Sequence, residues 1–157
     1  MEETVPFDHD LLGGYYDVCG YQLCVHSYEI MDYDEYLKAH NIDPSVLPHY
    51  TQNEQKVAVL RITLSNIDSD AEGIMLTELH LHGIDSSFII DRGLLSVLNP
   101  VLENQPGVHL APGSSREFML PFNMPRSLLQ RSWSDLTHYQ LYLTFTSFPV
   151  QKEIELS

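Results

Sequence analysis

Alternation of apolar and polar residues is the dominant pattern of this chain, and it predicts β-strands. The clearest run is "KVAVLRITLSN", in which every second residue is apolar and the opposite face of the strand carries Arg61, Thr63 and Ser65. "REFMLPFNM" and "HYQLYLTFTS" alternate in the same way, and Pro121 within the first is typical of an edge strand or a bulge. The predicted core positions of the three runs are Ala58, Leu60, Ile62, Leu64, Phe118, Leu120, Phe122, Met124, Tyr139, Leu141, Leu143 and Phe145.

Four further segments complete a set of about seven predicted strands, namely "YQLCVHSYEIM", "GIMLTELHLHG", "SSFIIDRG" and the charged, edge-like "VQKEIELS". Short strands separated by turn signals indicate an antiparallel β-sandwich rather than a parallel α/β sheet. We expect one such domain over residues 21–157. Residues 1–20 contain "LLGGYY" and no sustained period, which predicts an irregular or edge-pairing N-terminal arm.

One short helix is predicted directly after the first strand, in "DYDEYLKAHN". Asp32 and Glu35 have the spacing of a capping box, and Tyr33, Tyr36 and Leu37 fall on one side at helical spacing. The later "LLSVLNPVLENQPGVHLAPGSS" contains three strong turn dipeptides and is predicted to be a long connection.

Charge narrows the classes of partner. The chain has 8 Lys and Arg against 22 Asp and Glu, and residues 1–54 hold 11 of these acids with a single Lys. Such a balance opposes binding to nucleic acid and to anionic membrane surfaces. No apolar run is long enough for a membrane span, and "MEETVPFDHD" has no secretory leader, so we expect either a cytosolic protein or a segment whose leader was removed.

Three segments together carry a family resemblance: "KVAVLRITLSN" ending in Asn66, "LAPGSSREFMLPFNMP" and "YLTFTSFPVQKEIEL". Over roughly residues 21–157 the chain resembles the immunoglobulin-like domains of unknown function found in exported lipoproteins of Gram-positive bacteria. The helical insertion and the missing leader depart from that pattern. The resemblance implies an immunoglobulin-like sandwich acting outside the cytoplasm, anchored at the cell surface in the full-length protein, and non-catalytic. It carries over no catalytic residues and implies no cofactor.

The ligand of such a module would be an unknown protein or carbohydrate. Tyrosines crowd the acidic N-terminal third, and tyrosine offers contact area at a small entropic cost. We therefore predict a ligand-binding surface that includes Tyr28, Tyr33 and Tyr36. Packing around the short helix is the alternative explanation for the same residues.

A calcium site is the first of two metal alternatives. In "NIDSDAEG", Asp68, Asp70 and Glu72 alternate and Gly73 follows, as at the start of a helix-loop-helix calcium loop. The twelfth position is Leu79 where that loop needs a glutamate, and the flanks are predicted strands. A polar turn uses the same residue types, so both interpretations remain open here.

A zinc site is the second metal alternative, since Glu78, His80 and His82 would share one face of a strand. A third hypothesis is a hydrolase with a dispersed site, although the chain contains no Gly-x-Ser-x-Gly elbow and no phosphate-binding loop. We therefore predict a protein that is not an enzyme. Cys19 and Cys24 are expected to be free thiols, because on one extended strand they would lie beyond the reach of a disulfide, and a bridge would need a reversal of the chain at Gly20.

Overall fold

The fold is all-β, with antiparallel sheets. The computed structural model describes residues 3–6, 11–12, 16–17, 20–48, 50, 55–70, 73–83, 85–103, 105–128, 140–146 and 152–156. The strands in this part of the chain are β1 (Glu3–Pro6), β2 (Leu11–Leu12), β3 (Tyr16–Asp17), β4 (Tyr21–Asp32), β5 (Gln55–Asn66), β6 (Ile74–Met75), β7 (His80–His82), β8 (Ser87–Ile89), β9 (Gly107–Val108), β10 (Ser115–Pro125), β11 (Leu141–Thr146) and β12 (Lys152–Leu156). The α-helices are α1 (Tyr33–Ala39) and α2 (Arg92–Leu98).

The first sheet has the strand order β1-β4-β5-β10. Its central strand β5 buries Ala58, Leu60, Ile62 and Leu64 completely, so the core face predicted from alternation is confirmed. The predicted inward residues of β10 are buried as well. β1 pairs antiparallel with β4, which places this described part of the N-terminal arm at a sheet edge.

The second sheet has the order β12-β11-β7-β8. The charged strand β12 lies at its edge, as predicted from its composition. Leu81, Phe88, Leu143 and Ile154 point inward and join the first sheet in one apolar cluster. Eight strands therefore form two four-stranded sheets in the described part of the chain, whereas about seven strands were predicted, and β2-β3 and β6-β9 form two small ribbons.

The two sheets meet at one corner, where β8 approaches the outer edge of β10. Ile90 and Phe122 form an isolated antiparallel bridge, and the Asp91 N–H donates to the Pro121 carbonyl oxygen at 2.9 Å. Pro121 has no N–H to offer, which suits this edge position and confirms the prediction made from its sequence.

A second apolar cluster covers the outer face of the first sheet. Val57 and Val59 of β5 pack there against both helices, together with Leu47 and Leu94. Helix α1 lies where the sequence predicted it, but the capping box is absent, since the Asp32 carboxylate accepts from Lys56 Nζ at 3.1 Å and makes no cap hydrogen bond. Neither described helix is long and apolar enough to cross a membrane.

The segment "GIMLTELHLHG" is not one strand. A 3₁₀ turn at Leu76–Glu78 separates β6 from β7, and the buried residues are Ile74, Leu76, Leu79 and Leu81. Leu76 and Leu79 are three residues apart, the period of a 3₁₀ turn, and not two as in a strand. The single strand predicted across this segment is therefore replaced by two short strands and a turn.

Candidate functional site

A pocket of about 240 Å³ opens at the corner where the sheets meet. Its walls are largely apolar and come from the chain after α1, from the end of β8 and from the start of α2. We call it the corner pocket, and its lining consists of Leu47, Pro48, Tyr50, Ile89, Ile90, Asp91, Arg92, Gly93 and Asn123. Ile89 is 65% exposed, because β-strand alternation turns it outward between the buried Phe88 and Ile90.

Two polar groups of this lining have no hydrogen-bond or ion-pair partner among the described residues. The Oδ1 atom of Asn123, on β10, is buried and has no hydrogen-bond partner. Arg92 is exposed at the first position of α2, and no carboxylate in the described part of the chain pairs with its guanidinium. Arg92 therefore presents an exposed cation beside the pocket, whereas the Asn123 oxygen is enclosed by protein and carries the cost of a buried acceptor without a donor.

Asp91 holds the rim of the corner pocket in place. One carboxylate oxygen caps α2 by accepting from the Leu94 N–H at 3.0 Å, and the other accepts from the Tyr33 hydroxyl at 2.7 Å. Burial, and then the hydrogen bond to Asp91, raise the pKa of Tyr33 above its usual range. Both oxygens are thus engaged in the structure of the rim.

Gly93 helps to keep the corner pocket open. A methyl group at this position would lie 3.2 Å from Pro48 Cδ and 3.6 Å from a Leu47 side-chain carbon. The absence of a side chain at the start of α2 therefore leaves space beside Pro48 that any other residue would occupy.

The tyrosines predicted to bind a ligand do not form an exposed surface. Tyr33 and Tyr36 are 2% and 0% exposed, because α1 packs both against the outer face of the first sheet, and Tyr28 is half-buried against the main core. This placement agrees with the packing alternative. Tyr33 nevertheless supports the corner pocket, since its ring lies 5.4 Å from that of Tyr50 and its hydroxyl binds Asp91.

The predicted calcium residues lie in a turn that Asn66 organises. Asn66 Nδ2 donates to the carbonyl oxygens of Ser69 at 2.8 Å and Leu110 at 2.7 Å, and its Oδ1 accepts from the Ser69 N–H at 2.7 Å. Asp68 and Asp70 are exposed, while Glu72 lies outside the described residues. The polar-turn interpretation explains residues 66–70, and calcium binding by the three acids stays a prediction.

Backbone hydrogen bonds connect the same turn to its neighbours. The Gly113 N–H donates to the Asn66 carbonyl oxygen at 2.8 Å, and the Asn66 N–H donates to Ser114 O at 2.9 Å. Two of the segments that carry the family resemblance therefore meet at Asn66. Gly20 packs closely against the same turn, since its φ is +82° and a methyl group there would lie 2.4 Å from Asp68 Oδ1 and 2.9 Å from Ser69 N.

The predicted zinc residues do not share one strand. Glu78 ends the 3₁₀ turn, whereas His80 and His82 lie on the outer face of β7. His82 Nε2 contacts Glu153 of β12, its Nδ1 lies 3.2 Å from the Gly83 carbonyl oxygen, and its ring stacks on Tyr142. Both ring nitrogens already have protein partners, and no group of three metal-ligating side chains occurs among the described residues.

Two atoms near this zinc candidate are buried without hydrogen-bond partners, Glu78 Oε2 and His80 Nδ1. Burial raises the pKa of Glu78 above its usual range. His80 and His82 line a wide, open depression of about 480 Å³ that also includes Asp85, Ser86 and Thr144. The Ser86 hydroxyl donates to Asp85 at 3.4 Å.

Cys24 has a free thiol as expected, and Cys19 lies outside the described residues.

Sequence reasoning missed the residues of the corner pocket. Helix α2 was predicted to be part of a connection, although Asp91 before "RGLLSVL" and Asn99-Pro100 after it are ordinary helix boundaries. An isoleucine on the outward side of "SSFIIDRG" was a second signal. No sequence signal could have identified the partnerless oxygen of Asn123, because its surroundings are determined by residues distant in sequence.

A crystal structure of a functionally unknown protein from Listeria monocytogenes EGD-e is similar, with a TM-score of 0.52 and 13% identity over 87% of this chain and 76% of that one. At that identity the likeness concerns the fold alone. No curated protein matches the chain. The family described as "Domain of unknown function (DUF5028)" matches residues 1–152, and the chain belongs to this family.

Proposed function

We propose that this domain is a non-catalytic binding module, built on an immunoglobulin-like sandwich, that holds an apolar group of its ligand in the corner pocket. One observation carries the proposal: a largely apolar concavity of about 240 Å³ with the exposed Ile89 at its mouth. Binding sites typically combine apolar walls with a few convergent polar groups.

The chemistry of the lining supports binding rather than catalysis. Its nine residues include no serine, cysteine or histidine, and its carboxylate, Asp91, is occupied by the cap of α2 and by Tyr33. A general base or nucleophile needs a free group within reach of the reacting atom. The zinc hypothesis has less support, because both ring nitrogens of His82 are engaged, with Glu153 and with Gly83.

The proposed setting is outside the cytoplasm, with the full-length protein anchored at the cell surface. The resemblance of the chain to domains of exported lipoproteins supports this setting. Fractionation of cells that express the full-length protein, followed by detection with an antibody to this domain, tests the proposal. Recovery in the cytosolic fraction would contradict it.

A neutral probe, N-acetylleucinamide, tests the pocket itself. Titration into the ¹⁵N-labelled protein should shift the amide resonances of Ile89, Asp91, Gly93 and Asn123 more than those of the rest of the chain. Ile89→Ser should weaken binding severalfold, and because the side chain is largely exposed it should change the free energy of unfolding by less than about 0.5 kcal/mol.

Ile67→Ser is the matched control, since Ile67 is 50% exposed and does not line the pocket. It should leave the affinity for N-acetylleucinamide unchanged. Equal affinity of the wild-type protein and the Ile89→Ser variant, or shifts centred elsewhere, would refute the proposal.

A further inference from the structure

We infer that Cys24 is a reactive thiol, activated by His26, which forms mixed disulfides with small-molecule disulfides that reach the outer face of the first sheet. The inference goes beyond the proposed function, since none of the residues involved lines the corner pocket. It rests on a thiol, a base and a group that orients the base, which β4 and β5 bring together. These are Cys24, His26 and Thr63.

The contacts among the three side chains define the role of each. Cys24 Sγ lies 4.0 Å from His26 Nδ1, and His26 Nε2 lies 2.7 Å from the Thr63 hydroxyl oxygen. The ring proton is assigned to Nε2, which then donates to Thr63 and leaves Nδ1 as the acceptor beside the thiol. A nucleophile next to a base that a third group holds in place is the arrangement of an activated nucleophile.

A β-bulge in β4 occurs at the residue that acts as the base. Val25 pairs with Ile62 and Ser27 pairs with Arg61, so His26 is an extra residue between two rungs of the ladder. The core-facing residues of β4 are odd-numbered before the bulge and even-numbered after it, which is why both faces of this strand are partly apolar in the sequence. Bulges re-aim side chains and are frequent beside functional sites.

The thiol is accessible from the outer face of the first sheet. The helices cover this face at the start of β5, where Val57 and Val59 are buried. Thr63 lies farther along β5 and pairs with Cys24, and the side chains of Thr63, Cys24 and His26 are only partly buried. Reactive cysteines are partly exposed in this way, whereas inert structural cysteines are enclosed.

The reaction is thiol–disulfide exchange. His26 Nδ1 takes the thiol proton as Cys24 Sγ attacks one sulfur atom of the small-molecule disulfide. A bond forms between these two sulfur atoms, the original disulfide bond breaks, and the other half leaves as a thiolate that receives the proton from the imidazolium. Cys24 is oxidised and the departing thiol is reduced, so no further oxidant is needed. Because Cys24 is consumed, the exchange is a modification and agrees with a non-catalytic domain.

A disulfide suits this site better than an ester or an amide. Acyl transfer creates an oxyanion, which needs hydrogen-bond donors close to it. β4 lies between β1 and β5 and pairs with both, so the backbone around Cys24 is engaged in the sheet. Exchange with a disulfide forms no oxyanion and expels a thiolate, so a base beside the thiol is sufficient.

Dithiodipyridine, a neutral small-molecule disulfide, tests the inference through the absorbance of the thiopyridone that it releases. The chain has two cysteines, so every protein used carries Cys19→Ser, and mass spectrometry of the peptide containing Cys24 verifies the mixed disulfide. At about pH 6.5 an ordinary thiol is largely protonated and reacts slowly. We expect Cys24 in the folded protein to react about tenfold faster or more than in the urea-unfolded chain, where no base is held beside it.

Three substitutions assign the roles of the side chains. His26→Gln should lower the rate constant in the folded protein about tenfold or more and leave that of the unfolded chain unchanged. Thr63→Val deletes the hydroxyl that orients the ring and should lower the rate severalfold, and Thr63→Ser should restore it.

His109→Gln is the matched control, because His109 is an exposed histidine between β9 and β10, and it should leave the rate unchanged. An unchanged rate in the folded His26→Gln variant would overturn the inference. So would a folded protein whose Cys24 reacts no faster than in the unfolded chain. This second comparison alters none of the three residues and therefore decides the question even if a variant does not fold.

Discussion

The side-chain amide of Asn66 lies 2.7 Å from the carbonyl oxygen of Leu110, and this hydrogen bond joins the end of β5 to the segment that leads into β10. Asn66 is 1% exposed, and its side chain makes two further hydrogen bonds to the backbone of Ser69. An alanine here would remove three hydrogen bonds to buried backbone groups.

Asn66→Ala should therefore lower the free energy of unfolding by about 2–4 kcal/mol. For a chain of this size the melting temperature should fall by roughly 2–4 °C per kcal/mol, which differential scanning calorimetry resolves. Gln105→Ala is the control, since Gln105 is an exposed amide and its substitution should have little effect. A similar loss in both variants would show that Asn66 has no special role.

Tyr33 and Tyr36 should respond in opposite directions to removal of the hydroxyl group. Tyr33→Phe deletes the donor to the Asp91 carboxylate and should cost about 1–3 kcal/mol. Tyr36→Phe removes a buried hydroxyl that has no partner and should be neutral or stabilise the fold by up to about 1 kcal/mol. Urea denaturation of both variants measures the difference. A destabilised Tyr36→Phe variant would show that its hydroxyl has an important partner.

The protein should lose stability in alkaline solution through these two tyrosines. Burial, followed by the charge of Glu29, raises the pKa of Tyr36 to about 12, and burial and Asp91 raise that of Tyr33 as well. In the unfolded chain both hydroxyl groups ionise near pH 10. Above that pH the unfolded state therefore binds fewer protons than the folded state, and the free energy of unfolding falls. For Tyr36 this fall continues until about pH 12. Urea denaturation between pH 8 and 11.5 should show a smaller decline for Tyr36→Phe. An identical decline in the variant would contradict the assignment.

Glu78→Gln should stabilise the protein near neutral pH. Burial raises the pKa of this carboxyl group and leaves Oε2 without a partner, so the charged form is disfavoured in the folded state. The penalty is present above the folded pKa and disappears as the pH falls through it. The gain from Glu78→Gln should thus be measurable at pH 7 and vanish near pH 4. A gain that is constant across this range would point to a cause other than the charge.

The sequence predicted those parts of the fold that depend on a local period. The core residues of β5 and β10 were correct because sustained alternation indicates the face turned toward the other sheet, whereas the burial of Val57 and Val59 on the opposite face depends on the helices that cover it. Helix α1 was predicted correctly from its spacing, but the function of Asp32 was not, because Lys56 comes from a strand distant in sequence. The 3₁₀ turn at Leu76–Glu78 was missed because three residues are too few to establish a period.

The candidate site could not be predicted in the same way. The tyrosines attracted attention by their number, yet α1 buries Tyr33 and Tyr36 in packing that pattern alone could not place. The corner pocket requires the end of β8, the start of α2 and the edge of β10 to meet, and long-range contacts such as the pairing of Ile90 with Phe122 bring them together. Exposure of Ile89 was foreseeable from alternation, but its neighbours were not.

Pro121 and Asn99 have a consequence for the behaviour of concentrated solutions. Asn99 binds both backbone groups of Met119, at 2.8 Å from the N–H and 2.7 Å from the carbonyl oxygen, and two residues further on the Pro121 carbonyl oxygen accepts from Asp91. An open strand edge recruits strands from other molecules and starts aggregation. Along this stretch of β10, the backbone groups with which such a strand would pair already make hydrogen bonds, and Pro121 has no N–H. Replacing Asn99 would thus expose a template for self-association as well as weaken the fold.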